Sequence, residues 1–196
     1  EAEAYWGLVL CRYGIEYVDD PATGKKVPTC HRSSFESVMA DSDLDQALEN
    51  ADAAARKIYR EEAIRTEKML DEALKDFKTT NHDMGFMWLI QSGVHYALEG
   101  NQDSYDRTLL AATLLAGRYN PNGFIRAWNG KEQQGWAIVD CMMNIPILEW
   151  ASKFGTEPDP RFADIARHHA DTVLRTFLRP DGSVHHIVHY DTATGD

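Results

Sequence analysis

Asp140 lies in the sixteen-residue stretch Gly135 to Trp150, GWAIVDCMMNIPILEW, among neighbours that carry almost no charge. An aspartate with apolar residues on both sides costs several kcal/mol to bury unless it is hydrogen-bonded or protonated. The stretch is therefore expected to bury Asp140 either as a helix cap or as a working carboxylate. Asp83 has the same two readings. It follows Asn81-His82 ahead of an apolar run, where a cap carboxylate would accept backbone N–H bonds worth roughly 1 kcal/mol.

Asp83 and Asp140 are 57 residues apart. Paired carboxylates around a cleft are standard equipment for proton transfer at a glycosidic centre. Brought close, like-charge repulsion would leave one neutral acid beside one anion.

Other groups offer chemistry with plainer alternatives beside it. His82, His185, His186 and His189 suggest a metal site, but no HxxxH falls on an inner helix and no metal is expected. His168 and His169 fall on an outer helix, where solvent or packing accounts for them, and His95 reads as a satisfied core histidine. The loop Gly123-Phe124-Ile125-Arg126-Ala127-Trp128-Asn129 is either ordinary packing or a sugar-stacking Trp128 with a carboxylate-binding Arg126. A nucleophile elbow, a P-loop and GxGxxG are all missing, and no cofactor is expected.

The elements that must position these groups are helical. Residues 5 to 42 read as loop or short strand, with a turn at Asp19-Asp20-Pro21-Ala22-Thr23-Gly24. Three- and four-residue steps from Leu44 through Leu70 to Phe77 read as helix, with a break expected near Ala54 to Lys57. Met84 to Leu98 reads as a buried inner helix ended by Glu99-Gly100-Asn101, and Tyr105 to Arg118 as an amphipathic helix before the turn Asn120-Pro121-Asn122-Gly123. A helix to Phe154 starts near Met142 or Asn144, Phe162 to Phe177 forms an outer helix, and Val184 to Tyr190 a short strand.

Tyr96-Ala97, Gly100 and Tyr105 recur as Trp150-Ala151, Gly155 and Phe162, with Tyr105 and Phe162 again 57 apart. Repeated pairs of an apolar inner and an amphipathic outer helix predict an α/α toroid or solenoid, with both aspartates on one rim.

Composition bounds the class. Over 196 residues, 43% hydrophobic, the chain can bury a core, and a net charge of -11 disfavours nucleic acid and anionic membranes as partners. Any anionic ligand would need local positive groups. Cys11, Cys30 and Cys141 show no metal or disulfide spacing, which predicts a reducing, cytoplasmic setting. No apolar run reaches the ~18 residues of a membrane span. Glu1-Ala2-Glu3-Ala4 resembles the remnant of a yeast secretion leader and is set aside, which leaves residues 5–43 as an unassigned segment and 44–196 as the catalytic domain.

Four blocks in order resemble the unsaturated glucuronyl hydrolases, glycoside hydrolase family 88: Asn81 to Phe86, Phe124 to Asn129, Ile138 to Pro146 and Gly182 to Gly195. The resemblance runs from about Lys57 to Gly195 and implies an all-α fold, an (α/α)6 barrel, of which about three helix pairs are present. It implies catalysis by Asp83 and Asp140, with Asp140 as the general acid/base. It implies stacking by Trp128 and substrate contacts from His186, with His185 as the competing alignment, while His82 precedes the first aspartate as in the family. The reaction implied is hydration of the 4,5 double bond of an unsaturated uronic acid at the non-reducing end of a lyase-generated oligosaccharide.

The family's first, Trp- and Gly-rich helix pair has no counterpart in residues 5 to 56. Six pairs would need roughly 340 residues. The chain is therefore expected to be part of an enzyme, completed by the missing half or by a self-associated copy. A non-catalytic helical scaffold and another (α/α)6 sugar enzyme such as an epimerase are the competing classes. The equal repeat positions of Asp83 and Asp140 favour the hydrolase.

Overall fold

The computed structural model describes residues 1–30, 37–69, 72–155 and 159–196. They divide into two compact units, Glu1–Glu72 with Ile90–Asn101 and Ala73–Leu89 with Gln102–Asp196.

In the first unit, the stretch expected as loop or short strand begins with a helix, α1 (Ala2–Tyr13), which also takes in three of the four leading residues set aside. Trp6, Val9 and Tyr13 recur at helical steps and are buried, and the ring of Trp6 stacks on Tyr59 at 4.9 Å. That burial against a distant helix is what a run as short as Trp6 to Leu10 cannot announce by itself. Gly14 ends α1 at φ 62°, a left-handed backbone that glycine adopts without strain. An antiparallel hairpin follows, β1 (Ile15–Asp19) and β2 (Lys26–Cys30). The expected turn joins them: Asp20 accepts from the Ala22 N–H and the Thr23 hydroxyl.

The long helical stretch breaks earlier than expected, between α2 (Ser42–Asn50) and α3 (Ala53–Met69). Asp52 makes the break by accepting the Ala55 N–H at 2.8 Å, so a cap does the work without glycine or proline. Asp41 caps α2 in the same way and is held by Arg12 at 2.5 Å. Leu70 and residues 31–36, part of the sequence expectations above, lie outside the described residues.

A short α4 (Glu72–Lys75) comes next. The inner helix expected over Met84 to Leu98 is three pieces: α5 (Met84–Trp88), a π-helical turn (Leu89–Gly93) and α6 (Val94–Glu99), stopped by Gly100. His95 is buried with its Nε2 3.3 Å from the Glu99 carboxylate, a satisfied core histidine.

The second unit carries α7 (Gln102–Ala116), the hairpin β3 (Tyr119–Asn120) and β4 (Phe124–Ile125), then β5 (Trp136–Ile138). A 3-10 turn (Val139–Met143) leads to α8 (Pro146–Phe154), which takes Pro146 in its first turn where no N–H is needed. After α9 (Pro160–Thr176), β6 (Ile187–His189) pairs antiparallel with β5. Inner α5 packs on α7 and α8, and α8 packs on α7 and α9, as the inner-and-outer pattern predicts. Phe124, Ala137, Phe177 and Tyr190 form a core cluster around β4, β5 and β6, with Phe124 stacked on Tyr190 at 4.6 Å.

Gly85 lets α5 touch the turn after the 3-10 segment. A Cβ there would fall 2.3 Å from the Asn144 carbonyl oxygen and 2.7 Å from its Cα, closer than side chains tolerate. By contrast, Gly7 in α1 has open space around it. Gly85→Ala is expected to lower unfolding free energy by about 2 kcal/mol or more through overpacking. Gly7→Ala should raise it by about 1 kcal/mol through helix propensity. Urea titration of the two variants checks this, and equal effects would contradict the packing of α5 on Asn144.

Candidate functional site

The site is built from two loops and one turn of the second unit. Asn81 accepts the Asp83 N–H at 2.8 Å, closing the turn that opens α5. Across from it, the Ala127 carbonyl accepts the His82 N–H at 3.2 Å and lies 3.1 Å from His82 Nδ1. It also takes Arg118 Nη2–H at 2.7 Å. Arg118 further donates to the carbonyls of Arg126 and Thr80 and to the Asn129 amide oxygen, so one buried guanidinium ties residues 80–82 to residues 126–129. The third segment is held by Asn144, whose Oδ1 accepts the Phe86 N–H and whose amide reaches the Asp140 carbonyl.

These ties bring Asp83 and Asp140 to the same atom. His82 Nε2 is 3.0 Å from one Asp140 oxygen and 3.2 Å from one Asp83 oxygen. A carbonyl only accepts, so His82 Nδ1 carries a proton toward Ala127. Nε2 then faces two carboxylates. One oxygen of each carboxylate lies within hydrogen-bond reach of that nitrogen.

Neither aspartate is a helix cap. Asp83 stands at the cap position of α5, and Asp140 in the 3-10 turn, without a side-chain cap bond in either case. The expected burial of Asp140 is corrected: its side chain is 49% exposed, against 33% for Asp83 and 3% for His82. The apolar run around it packs by its other members. Cys141 beside it is fully buried, and its thiol is pushed up to about 12 by burial and then by Asp140. That keeps it a neutral thiol.

Trp128 is half-buried, edge-on to His82 at 5.9 Å and to Trp136 at 6.1 Å. His186 is exposed and meets the site through its backbone, where its carbonyl accepts the Val139 N–H at 3.0 Å next to Asp140. His185 is engaged elsewhere by the Arg179 guanidinium at 2.9 Å. Arg126 does not line up with the carboxylates. Its guanidinium bonds Gln134 and lines a different cavity, together with Lys78 and Arg118.

Among the described residues, the groups that could hold a cation together are His82, Asp83 and Asp140, whose ligand atoms lie within 4.8 Å of one another. The His82–Asp140 hydrogen bond and the His82–Asp83 approach account for that spacing. Arg118 and Asn144 were missed from the sequence. Both act through contacts made 4 to 58 positions away, and only the (i, i+58) register of Asn144 with Phe86, one residue off the repeat interval, hinted at it.

His169 of α9 supports the loop from behind. Buried, it accepts the Ile125 N–H through Nδ1 at 3.1 Å, and burial, then the neighbouring His82, pushes its pKa down to about 4.

No family profile matches the chain. Among curated proteins it is 32% identical over 143 residues to the unsaturated glucuronyl hydrolase of Bacillus sp. (strain GL1), covering 70% of this chain and 37% of that one. It is 33% identical over 130 residues to an unsaturated chondroitin disaccharide hydrolase of Streptococcus pyogenes serotype M1, covering 65% and 32%. Of solved structures, the unsaturated glucuronyl hydrolase from Bacillus sp. GL1 superposes with a TM-score of 0.70 at 26% identity, over 100% of this chain and 53% of that one. An unsaturated glucuronyl hydrolase specific for heparin gives 0.70, also at 26%, over 100% and 51%. The chain thus spans about half of those solved chains and about a third of the curated relatives. Its helix-rich fold is that of part of such proteins, in line with the partial (α/α)6 expectation. No helix among the described residues is long and apolar enough to cross a membrane.

His169 sets a pH dependence. Below its ordinary pKa of 6.5 the unfolded chain takes a proton that the folded chain refuses until about pH 4. Unfolding free energy should therefore fall as pH drops through that window, by about 3 kcal/mol from this group. His169→Asn can keep an acceptor for Ile125 and does not titrate. Denaturant midpoints between pH 7 and 4 should fall less steeply in the variant, and parallel curves would refute the assignment.

Proposed function

We propose that this homologue of the unsaturated glucuronyl hydrolases contributes the catalytic half of an enzyme that removes 4,5-unsaturated uronic acid from the non-reducing end of lyase-generated oligosaccharides. The observation that carries the reading is the meeting of Asp83 and Asp140 on His82 Nε2, at 3.2 and 3.0 Å. Two carboxylates meeting at one imidazole nitrogen, both partly open to solvent, suit acid–base addition of water.

In this reading Asp140, as the neutral acid, donates its proton to C4 of the double bond. Positive charge develops at C5 and the ring oxygen, where the anionic Asp83 stabilises it. The Asp140 carboxylate then takes a proton from water as the oxygen bonds C5. The hemiketal so formed collapses and releases the sugar. Trp128 offers an aromatic surface to the uronate ring, and His186 a donor from the segment paired to β5. His82 holds the two carboxylates and Asp140's proton in register.

The remaining pocket walls come from further helix pairs or from a second copy of the chain, and the choice of polysaccharide rests with them. A reducing, cytoplasmic setting suits the free thiols of Cys11 and Cys141.

Incubation with a lyase-generated unsaturated disaccharide should bleach its absorbance near the ultraviolet edge as the double bond is lost. Asp140→Asn should slow this by about 100-fold or more, the scale of a lost general acid. Turnover unchanged in that variant would remove Asp140 from the mechanism.

A further inference from the structure

A second cavity in the same unit, about 560 Å³, is lined by Phe77, Lys78, Thr113, Arg118, Arg126 and Asn129 among others. None of His82, Asp83, Trp128 and Asp140 lines it. Its charge is opposite to that of the chain. Acidic residues outnumber basic ones 31 to 20 overall, yet three cations and no carboxylate line this cavity.

Among the described residues, none of the three cations makes an ion pair. Arg118 is buried, and the bonds described above send its guanidinium to three carbonyls and one amide oxygen, all neutral. Burial, then the nearby Arg126, holds its pKa down to about 10, whereas an acidic partner would push it up. Arg126 bonds the neutral Gln134, and its Nε–H is buried with no partner among the described residues. A buried donor left unmade costs about 1–3 kcal/mol. Lys78 is exposed, with no ion pair among the described residues.

We infer that this cavity binds an oxyanion, a carboxylate or sulfate, through Arg126 Nε–H and the Lys78 ammonium, at a site separate from the His82 cluster. An Arg fork matches the geometry of such groups, and a low-dielectric wall containing Arg118 strengthens the attraction. The volume falls within the roughly 300–1,000 Å³ of small-molecule sites and exceeds what a lone sulfate fills. Phe77, 59% exposed at the edge, adds an apolar surface for a ring. The chemistry fits the acid group of a sugar, and a free inorganic anion shares it.

The inference stands apart from the proposed hydrolysis, and its test reads binding. The Arg Nε–H resonances of the full chain are followed by NMR while glucuronate, inorganic sulfate or glucose is added at constant ionic strength. Glucuronate should saturate and shift the Arg126 Nε–H, glucose should not, and Lys78→Gln should weaken binding about tenfold. Arg126→Lys keeps the charge but loses the fork, and should weaken glucuronate at least as much. Saturation by sulfate more tightly than by glucuronate upholds the oxyanion site and assigns it to a free anion. Asp140→Asn should leave glucuronate binding intact, so that failure of the hydrolytic reading and of this one appear separately. Absence of saturation with both anions, an equal response to glucose, or affinities unchanged in both variants would overturn the site.

Discussion

The Arg118 guanidinium is buried, and every bond it makes in the site ends on a neutral oxygen of the loops that build it. Burying a charge without a counter-ion is costly, and only a full set of hydrogen bonds makes it tolerable. The carbonyls of Thr80, Arg126 and Ala127 are therefore fixed points. Ala127 also receives both the backbone and the ring of His82. Through this one oxygen, the position of His82 Nε2, and with it the meeting place of two aspartates, follows from where a distant arginine sits.

A second constraint closes the site from the other side. α5 comes so near the turn after Asp140 that only a glycine fits at position 85, and the Asn144 side chain joins the two by bonding Phe86 and the Asp140 carbonyl. The two carboxylates are then held by backbone rather than by each other. This arrangement keeps both of them partly in solvent while their common partner is buried. Access and preorganisation are divided between different side chains.

Much of this could be read from the chain. The helices α7 and α9 show their periods plainly, because an amphipathic outer helix meets water on one face and core on the other. The 57-residue interval paired Asp83 with Asp140, and the two do converge. The break at Asp52 was misplaced because an aspartate cap competes with helix through a single side-chain bond that leaves no gap in the apolar pattern. α1 was missed because its apolar face becomes legible only against Tyr59 and the core around it.

The sequence by itself determined which groups could carry chemistry, the repeat that spaces them, and the helical class, because these depend on residue type and on local period. Only the tertiary structure decided that Asp140 stays half-exposed, that His82 bridges the aspartates, and that Arg126 turns to a separate cationic cavity. The meeting at His82 rests on bonds between residues 45 to 58 positions apart, and the other outcomes on burial that many segments share. A local pattern holds no information about a partner that reaches it only when the chain is folded.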